Sequence, residues 1–320
     1  MLKGSLMGAA DVVPGVSGGT IAFITGIYEE LLESISAINL DNLKLLFKGQ
    51  FKIFWNNING KFFVFLLTGV AFSLVTLAKL IGSIVNNSKE TEEKVLLWSF
   101  FFGLIIASIL YVGKQIKKWT PKEYASLLIG AGIAFYITIA SPAVGSDSLI
   151  YLFISGLIAI CAMILPGISG AFILLLMGSY PLVLGAVNDL REALSASDTP
   201  LIIAAGSKIA VFGLGCVIGL TSFARLVSYM FKKAHDITLA VLTGFLIGSL
   251  NKVWPWKQTT EFRENSHGEM VPYLQENLLP HSFAEINNDN YLVFAALLCI
   301  LGFAIVFVME KVGERFNTTT

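Results

Sequence analysis

Runs of about twenty mostly apolar residues recur along this chain, and a helix needs roughly that length to cross the ~30 Å hydrocarbon core of a bilayer. Residues 62–85, 95–113, 124–143, 201–221, 237–250 and 291–309 are such runs, the fifth of them short. With 55% hydrophobic and only 14% charged residues, and a mean hydropathy of +0.74, the chain is too apolar for a soluble domain of its size. Two further apolar stretches, residues 2–36 and 149–187, carry Pro and Gly near their centres, which a plain span does not need. The net charge is +0, so bulk electrostatics points to no nucleic-acid partner and any anion recognition has to be local. Cys161, Cys216 and Cys299 lie singly in apolar segments without metal-ligand spacing and read as packing residues. The first residues break at Asp11, too early for a signal peptide, and read as part of the fold.

The two interrupted stretches repeat one another. Pro14-Gly15-Val16-Ser17-Gly18-Gly19 is answered by Pro166-Gly167-Ile168-Ser169-Gly170-Ala171. Downstream, Ala78-Lys79-Leu80-Ile81 matches Ala224-Arg225-Leu226-Val227, and Gly103-Leu104-Ile105-Ile106-Ala107-Ser108 matches Gly244-Phe245-Leu246-Ile247-Gly248-Ser249, in the same order. The chain therefore divides into halves, residues 1–143 and 149–320.

Lys and Arg are retained on the cytoplasmic side of span ends, so the loops give orientation. Lys44, Lys48, Lys52 and Lys61 place the first connection inside, and Glu90, Glu92 and Glu93 place the next outside. Lys114, Lys117, Lys118 and Lys122 return the chain inside, and the nearly uncharged residues 141–148 lie outside. The acidic residues 188–199 are also predicted outside, so residues 149–187 leave and re-enter one face as a hairpin broken at Pro166. By the same logic residues 2–36 form a hairpin from the cytoplasmic face, and both termini are cytoplasmic. The predicted fold is an all-α polytopic membrane protein, an inverted repeat in which each half is one re-entrant helical hairpin plus three transmembrane helices. Such repeats are a common plan of secondary transporters, whose sites lie near the midplane where broken helices meet. Residues 40–55, mixing Leu and Phe with Lys, read as an interfacial helix, and residues 251–290 as an external loop or small cap.

Broken backbone survives at membrane depth only inside protein or beside an aqueous cavity. At the hairpin breaks Pro14, Gly15, Pro166 and Gly167, Pro ends one helix and Gly frees the turn, and the next helix starts with unpaired N–H groups. Two such starts, with the Ser17, Thr20 and Ser169 hydroxyls beside the amides of Gly18, Gly19 and Gly170, would hold a phosphate or carboxylate. The alternative is a pair of packing kinks with capping serines. Lys79 and Arg225 occupy matching positions in the halves, either snorkelling to an interface or drawing a phosphate toward the tips. Asp11 has Met163 as its counterpart and so breaks the symmetry, as a coupling-ion (proton or sodium) site does; capping of a turn is the alternative. Glu29 is interfacial or joins the site, and Lys208 lies inside a span with no evident carboxylate. His235, His267 and His281 fall in loops without triad or zinc spacing, which disfavours an enzyme, a cofactor or a metal.

The segment Gly8-Ala9-Ala10-Asp11-Val12-Val13-Pro14-Gly15-Val16-Ser17-Gly18-Gly19-Thr20-Ile21-Ala22, followed by Gly26-Ile27-Tyr28-Glu29, closely resembles the signature of the PopT family of bacterial polyprenyl-phosphate transporters. Ile164 to Gly170, followed by Phe172 to Leu175 and Gly178-Ser179-Tyr180, is similar to that family's second motif, with Ala171 where a Ser is expected. The resemblance implies return of undecaprenyl phosphate from the outer to the inner leaflet of the cytoplasmic membrane, for reuse in peptidoglycan and other envelope polymers. The partners it implies are that lipid or a related polyprenyl phosphate and the surrounding membrane lipids. A transporter or channel for a small soluble anion, and a lipid phosphatase, are the rival readings. The latter lacks a nucleophile and a general acid. Sequence leaves open whether the chain works alone or as a homo-oligomer.

Overall fold

A computed structural model describes residues 1–11, 17–86, 91–140, 142–264 and 270–317, and of residues 77–86, 91, 263–264, 270–273 and 309–317 the backbone alone. The first half holds α1 (Leu2–Asp11), α2 (Gly18–Ile24), α3 (Tyr28–Ser36), α4 (Leu40–Phe47), α5 (Phe51–Asn57), α6 (Gly60–Asn86), α7 (Thr91–Gln115) and α8 (Pro121–Ile139). The second holds α9 (Leu149–Ile164), α10 (Gly170–Leu176), α11 (Tyr180–Ala196), α12 (Thr199–Lys233), α13 (His235–Ser249), β1 (Lys257–Glu264), β2 (Met270–Asn277), α14 (Pro280–Asn287) and α15 (Leu292–Asn317). Local chemistry sets several of these starts. Thr120 and Glu123 close a capping box around Pro121 on α8, and the Asp198 and Ser148 side chains cap α12 and α9.

Helices pack backbone to backbone where glycine permits it, and the close approaches come in matched sets. Between α1 and α6, Gly4 lies against the Leu66 carbonyl and Gly69 against Met1 and Ser5; between α9 and α12, Gly156 lies against the Phe212 carbonyl and Gly215 against Phe153 and Leu157. Between α7 and α15, Gly103 meets Cys299 and Gly302 meets Phe100; between α13 and α8, Gly244 meets Leu127 and Gly130 meets Val241. Small residues at such contacts let dispersion hold helices together where lipid removes the hydrophobic drive between them. Large apolar side chains stay outside: Leu128, Ile129 and Tyr136 on α8, Ile203 and Val217 on α12, and Val293 and Ile300 on α15 are exposed, as lipid-facing positions are.

The outcome is a mostly helical membrane protein. Among the described residues Glu92–Gln115 and Thr199–Lys233 are long and apolar enough to cross a bilayer alone. Up to four spans result if the bent pairs Phe51–Asn57 with Gly60–Thr76 (66°) and Gly170–Leu176 with Tyr180–Ala196 (102°) each count as one. Leu149–Ile164, His235–Ser249 and Leu292–Val308 are shorter apolar helices.

Four expectations are corrected. The interfacial helix at 40–55 is two helices, because Gly49 takes φ 70° between them. The span at 201–221 continues as α12 to Lys233, with Lys232 and Lys233 in its last turn, where cations suit the helix dipole. The hairpin ending at 187 runs on as α11 to Ala196; nothing in residues 188–196 breaks a helix until Ser197 adopts φ 57°. The region 251–290 is not a loop alone: β1 and β2 pair antiparallel from Lys257↔Asn277 onward, and α14 follows. Outside this one hairpin the described elements are helices, in keeping with an all-α membrane protein.

Candidate functional site

The two motifs meet. Ser17, with extended backbone at φ −121° and ψ 137°, is the N-cap of α2, and its hydroxyl accepts the Gly19 N–H at 3.1 Å. The same hydroxyl donates to the Met163 carbonyl, near the end of α9, at 3.0 Å. Thr20 Oγ1 accepts the Gly167 N–H at 2.9 Å. Ser17 and Thr20 are 1% and 0% exposed, so these bonds stand in for water. Hydroxyls of the first motif thus satisfy backbone that the break in the second sets free. Gly19 makes the approach possible, since a Cβ there would lie 2.6 Å from the Ile164 carbonyl oxygen.

Asp11 ends α1, and its Oδ1 accepts the Gly18 N–H at 2.6 Å. The first amide of α2 is therefore held by an internal carboxyl group rather than left open. Met163, which takes the place of Asp11 in the second half, supplies its carbonyl to Ser17 instead. Ser169 caps α10 in extended backbone, yet its partly exposed hydroxyl makes no capping bond, and Gly170 packs against the Ala159 carbonyl. Pro166 is buried, and Gly167, at φ 84°, abuts Ser249 and the Phe245 carbonyl. Pro14 and Gly15 lie outside the described residues.

Both short helices end alike. Gly26 (φ 68°) and Gly178 (φ 62°) take the left-handed conformation that only glycine adopts at little cost. At the first, Ile27 N–H bonds the Ala22 carbonyl at 3.0 Å and Gly26 N–H that of Phe23 at 3.2 Å; at the second, Ser179 bonds Leu174 at 2.9 Å and Gly178 bonds Leu175 at 3.0 Å. Each is a Schellman turn that satisfies the last carbonyls and redirects the chain.

Of the charged candidates other than Asp11, Arg225, Glu29 and Lys208 make their described contacts away from this cluster. Lys79 is in α6, and its side chain is outside the described residues. Arg225 donates to the Ile38 carbonyl at 3.0 Å, at the end of the first hairpin, and no described polar contact joins it to Ser17, Thr20 or Ser169. Glu29 faces His235 at 3.5 Å, while Glu33 pairs with Lys232 at 2.9 Å, so this face of α3 is tied to the α12–α13 junction. Lys208 finds its carboxylate in Asp147, at 2.6 Å. That pair is only partly buried, and Asp147→Asn is expected to change thermal stability in detergent by no more than about 1 kcal/mol. Sequence reading missed Lys252 and Lys257, partly buried lysines whose ammoniums lie over Phe172 and Trp98. The neighbouring Trp254-Pro255-Trp256 was their one sequence signal.

The sequence model of the undecaprenyl phosphate translocase-like family matches residues 7–271. A polyprenyl-phosphate transporter of Vibrio cholerae is 44% identical over 98% of this chain and 96% of its own length. A polyprenyl-phosphate transporter of Staphylococcus aureus is 30% identical over 80% of this chain and 85% of its own length. No solved structure matches. Since the family match runs through both motifs and the relatives extend over most of the chain, this protein belongs to the undecaprenyl phosphate translocase-like family.

Proposed function

We propose that this protein transports a polyprenyl phosphate, undecaprenyl phosphate foremost, from the outer to the cytoplasmic leaflet of the bacterial cytoplasmic membrane, returning the carrier lipid to envelope synthesis. The observation that carries this reading is the near full-length similarity, at 44% identity, to a polyprenyl-phosphate transporter. The obstacle is desolvation of a charged headgroup in hydrocarbon, and a polar path through the protein lowers it while the prenyl tail stays in lipid. No covalent step is involved.

In this reading the halves are inverted repeats, and each hairpin is re-entrant. The glycine contacts and the identical Schellman turns support it: α1–α6 in the first half answers α9–α12 in the second, and α7–α15 answers α13–α8, two pairs that each join the halves. The joined hairpin breaks then form the central barrier. Arg225, and Lys79 at the matching position, guide the phosphate from the two sides, and Asp11 couples passage to a proton.

The test uses liposomes holding the protein and labelled undecaprenyl phosphate, with a phosphate-binding probe added outside only. Wild-type protein is expected to change the outside-accessible fraction over time. Uptake of a soluble anion with no lipid movement would defeat the proposal. Arg225→Ala removes a charged donor and is expected to slow transport about tenfold, Arg225→Lys less.

A further inference from the structure

Lys252 and Lys257 take no part in the contacts between the hairpins, yet they sit beside the second one. The Lys252 ammonium lies 4.2 Å from the centroid of the Phe172 ring on α10. Phe172 is three residues after Ser169, hence on the same helical face. Three residues before Lys252, Ser249 touches the break itself: a Cβ on Gly167 would lie 2.8 Å from its Oγ. The Lys257 ammonium lies 3.7 Å from the centroid of the Trp98 ring on α7 and donates to the Lys252 carbonyl.

Among the described residues neither ammonium has a carboxylate partner. Burial pushes Lys252 down to about 8, and burial together with repulsion from Lys252 pushes Lys257 well below its ordinary range. Ring faces offset part of the lost hydration, but they leave the charges uncancelled. An arriving anion of more than one charge would supply the counter-charge that both ammoniums lack and would favour their protonated forms.

Resting on the transport reading above, we infer that Lys252 and Lys257, with the Ser169 hydroxyl, which makes no capping bond to α10, form a receiving site for a phosphate monoester on the face that carries the β1–β2 hairpin. The shared ligand chemistry is the doubly charged phosphate group, whether on a lipid or as inorganic phosphate. Lysines suit a site that must also release its guest, because each is a compact point charge on a flexible stem without the bidentate fork of arginine.

The full-length protein in nanodiscs tests this through the tryptophan emission that Trp98 contributes. Titration with farnesyl phosphate, inorganic phosphate and farnesol should give saturable changes with the phosphates and none with farnesol. Tighter binding of farnesyl phosphate assigns the site to a lipid headgroup, and equal binding assigns it to free phosphate. The Lys252→Gln, Lys257→Gln double variant should weaken phosphate binding by about tenfold or more, while the paired Arg variant retains most of it. The wild-type chain gives an independent measurement: an amine-reactive ester should label Lys252, and saturating farnesyl phosphate should protect it. Undiminished binding in the Gln variant, or no protection in the wild type, overturns the site. If instead wild-type liposomes move no undecaprenyl phosphate, it is the transport reading that fails.

Discussion

Gly19→Ala is expected to lower transport about 100-fold or more, by analogy with tightly packed sites where an added methyl costs about 1–3 kcal/mol and each severed buried bond a similar amount. The new Cβ would stand 2.6 Å from the Ile164 carbonyl oxygen and 3.1 Å from that of Met163. Both are backbone atoms near or at the end of α9, so no side chain can rotate aside. To make room, α2 must draw away from α9, and that movement strains the Ser17 bond to Met163 and the Thr20 bond to Gly167 together. Gly26→Ala provides the contrast. Nothing lies within 4 Å of a Cβ there, and the cost is the left-handed backbone alone, about 1–2 kcal/mol. Thermal unfolding in detergent and lipid movement in liposomes should both rank Gly19→Ala as the worse variant. Wild-type transport by Gly19→Ala would mean that the hairpins need not touch.

What the sequence made legible follows from what it repeats. Apolar runs mark helices because burial in lipid demands length and nothing else, and the paired Pro-Gly-x-Ser-Gly motifs mark breaks because Pro and Gly act locally. The partner of each motif was not legible. Ser17 and Thr20 read as hydroxyls awaiting a ligand, whereas they bond Met163 and Gly167, roughly 150 residues away, a pairing that only the packing of α2 on α9 creates. Lys208 shows the same limit, since its partner Asp147 lies in a segment read as nearly uncharged. Charge also misled. The acidic residues 188–199 read as an outside connection, but Asp, Arg and Glu are compatible with helix, and α11 continues through them to Ala196. Lys252 and Lys257 do not stand out in the sequence because a side chain's burial under Phe172 and Trp98 leaves no periodic trace.

Asp11→Ala is expected to slow transport between about tenfold and 100-fold, the equivalent of a charge-assisted hydrogen bond worth about 1.5–3 kcal/mol. Its carboxylate holds the Gly18 N–H at 2.6 Å, so the start of α2 already has an anion, where a phosphate would otherwise be drawn. A headgroup passing this point meets like charge unless the carboxylate is neutral. Proton binding to Asp11 would relieve that repulsion, which is the physical content of coupling at this residue. Asp11→Asn separates the two roles, because the amide oxygen can still accept from Gly18 while the charge and the titratable proton are gone. We expect Asp11→Asn to keep the fold, to move lipid, and to lose the response to a pH gradient imposed across the liposome, where the wild type responds. An Asp11→Asn protein that follows the gradient as the wild type does would place coupling elsewhere and leave Asp11 with the cap alone.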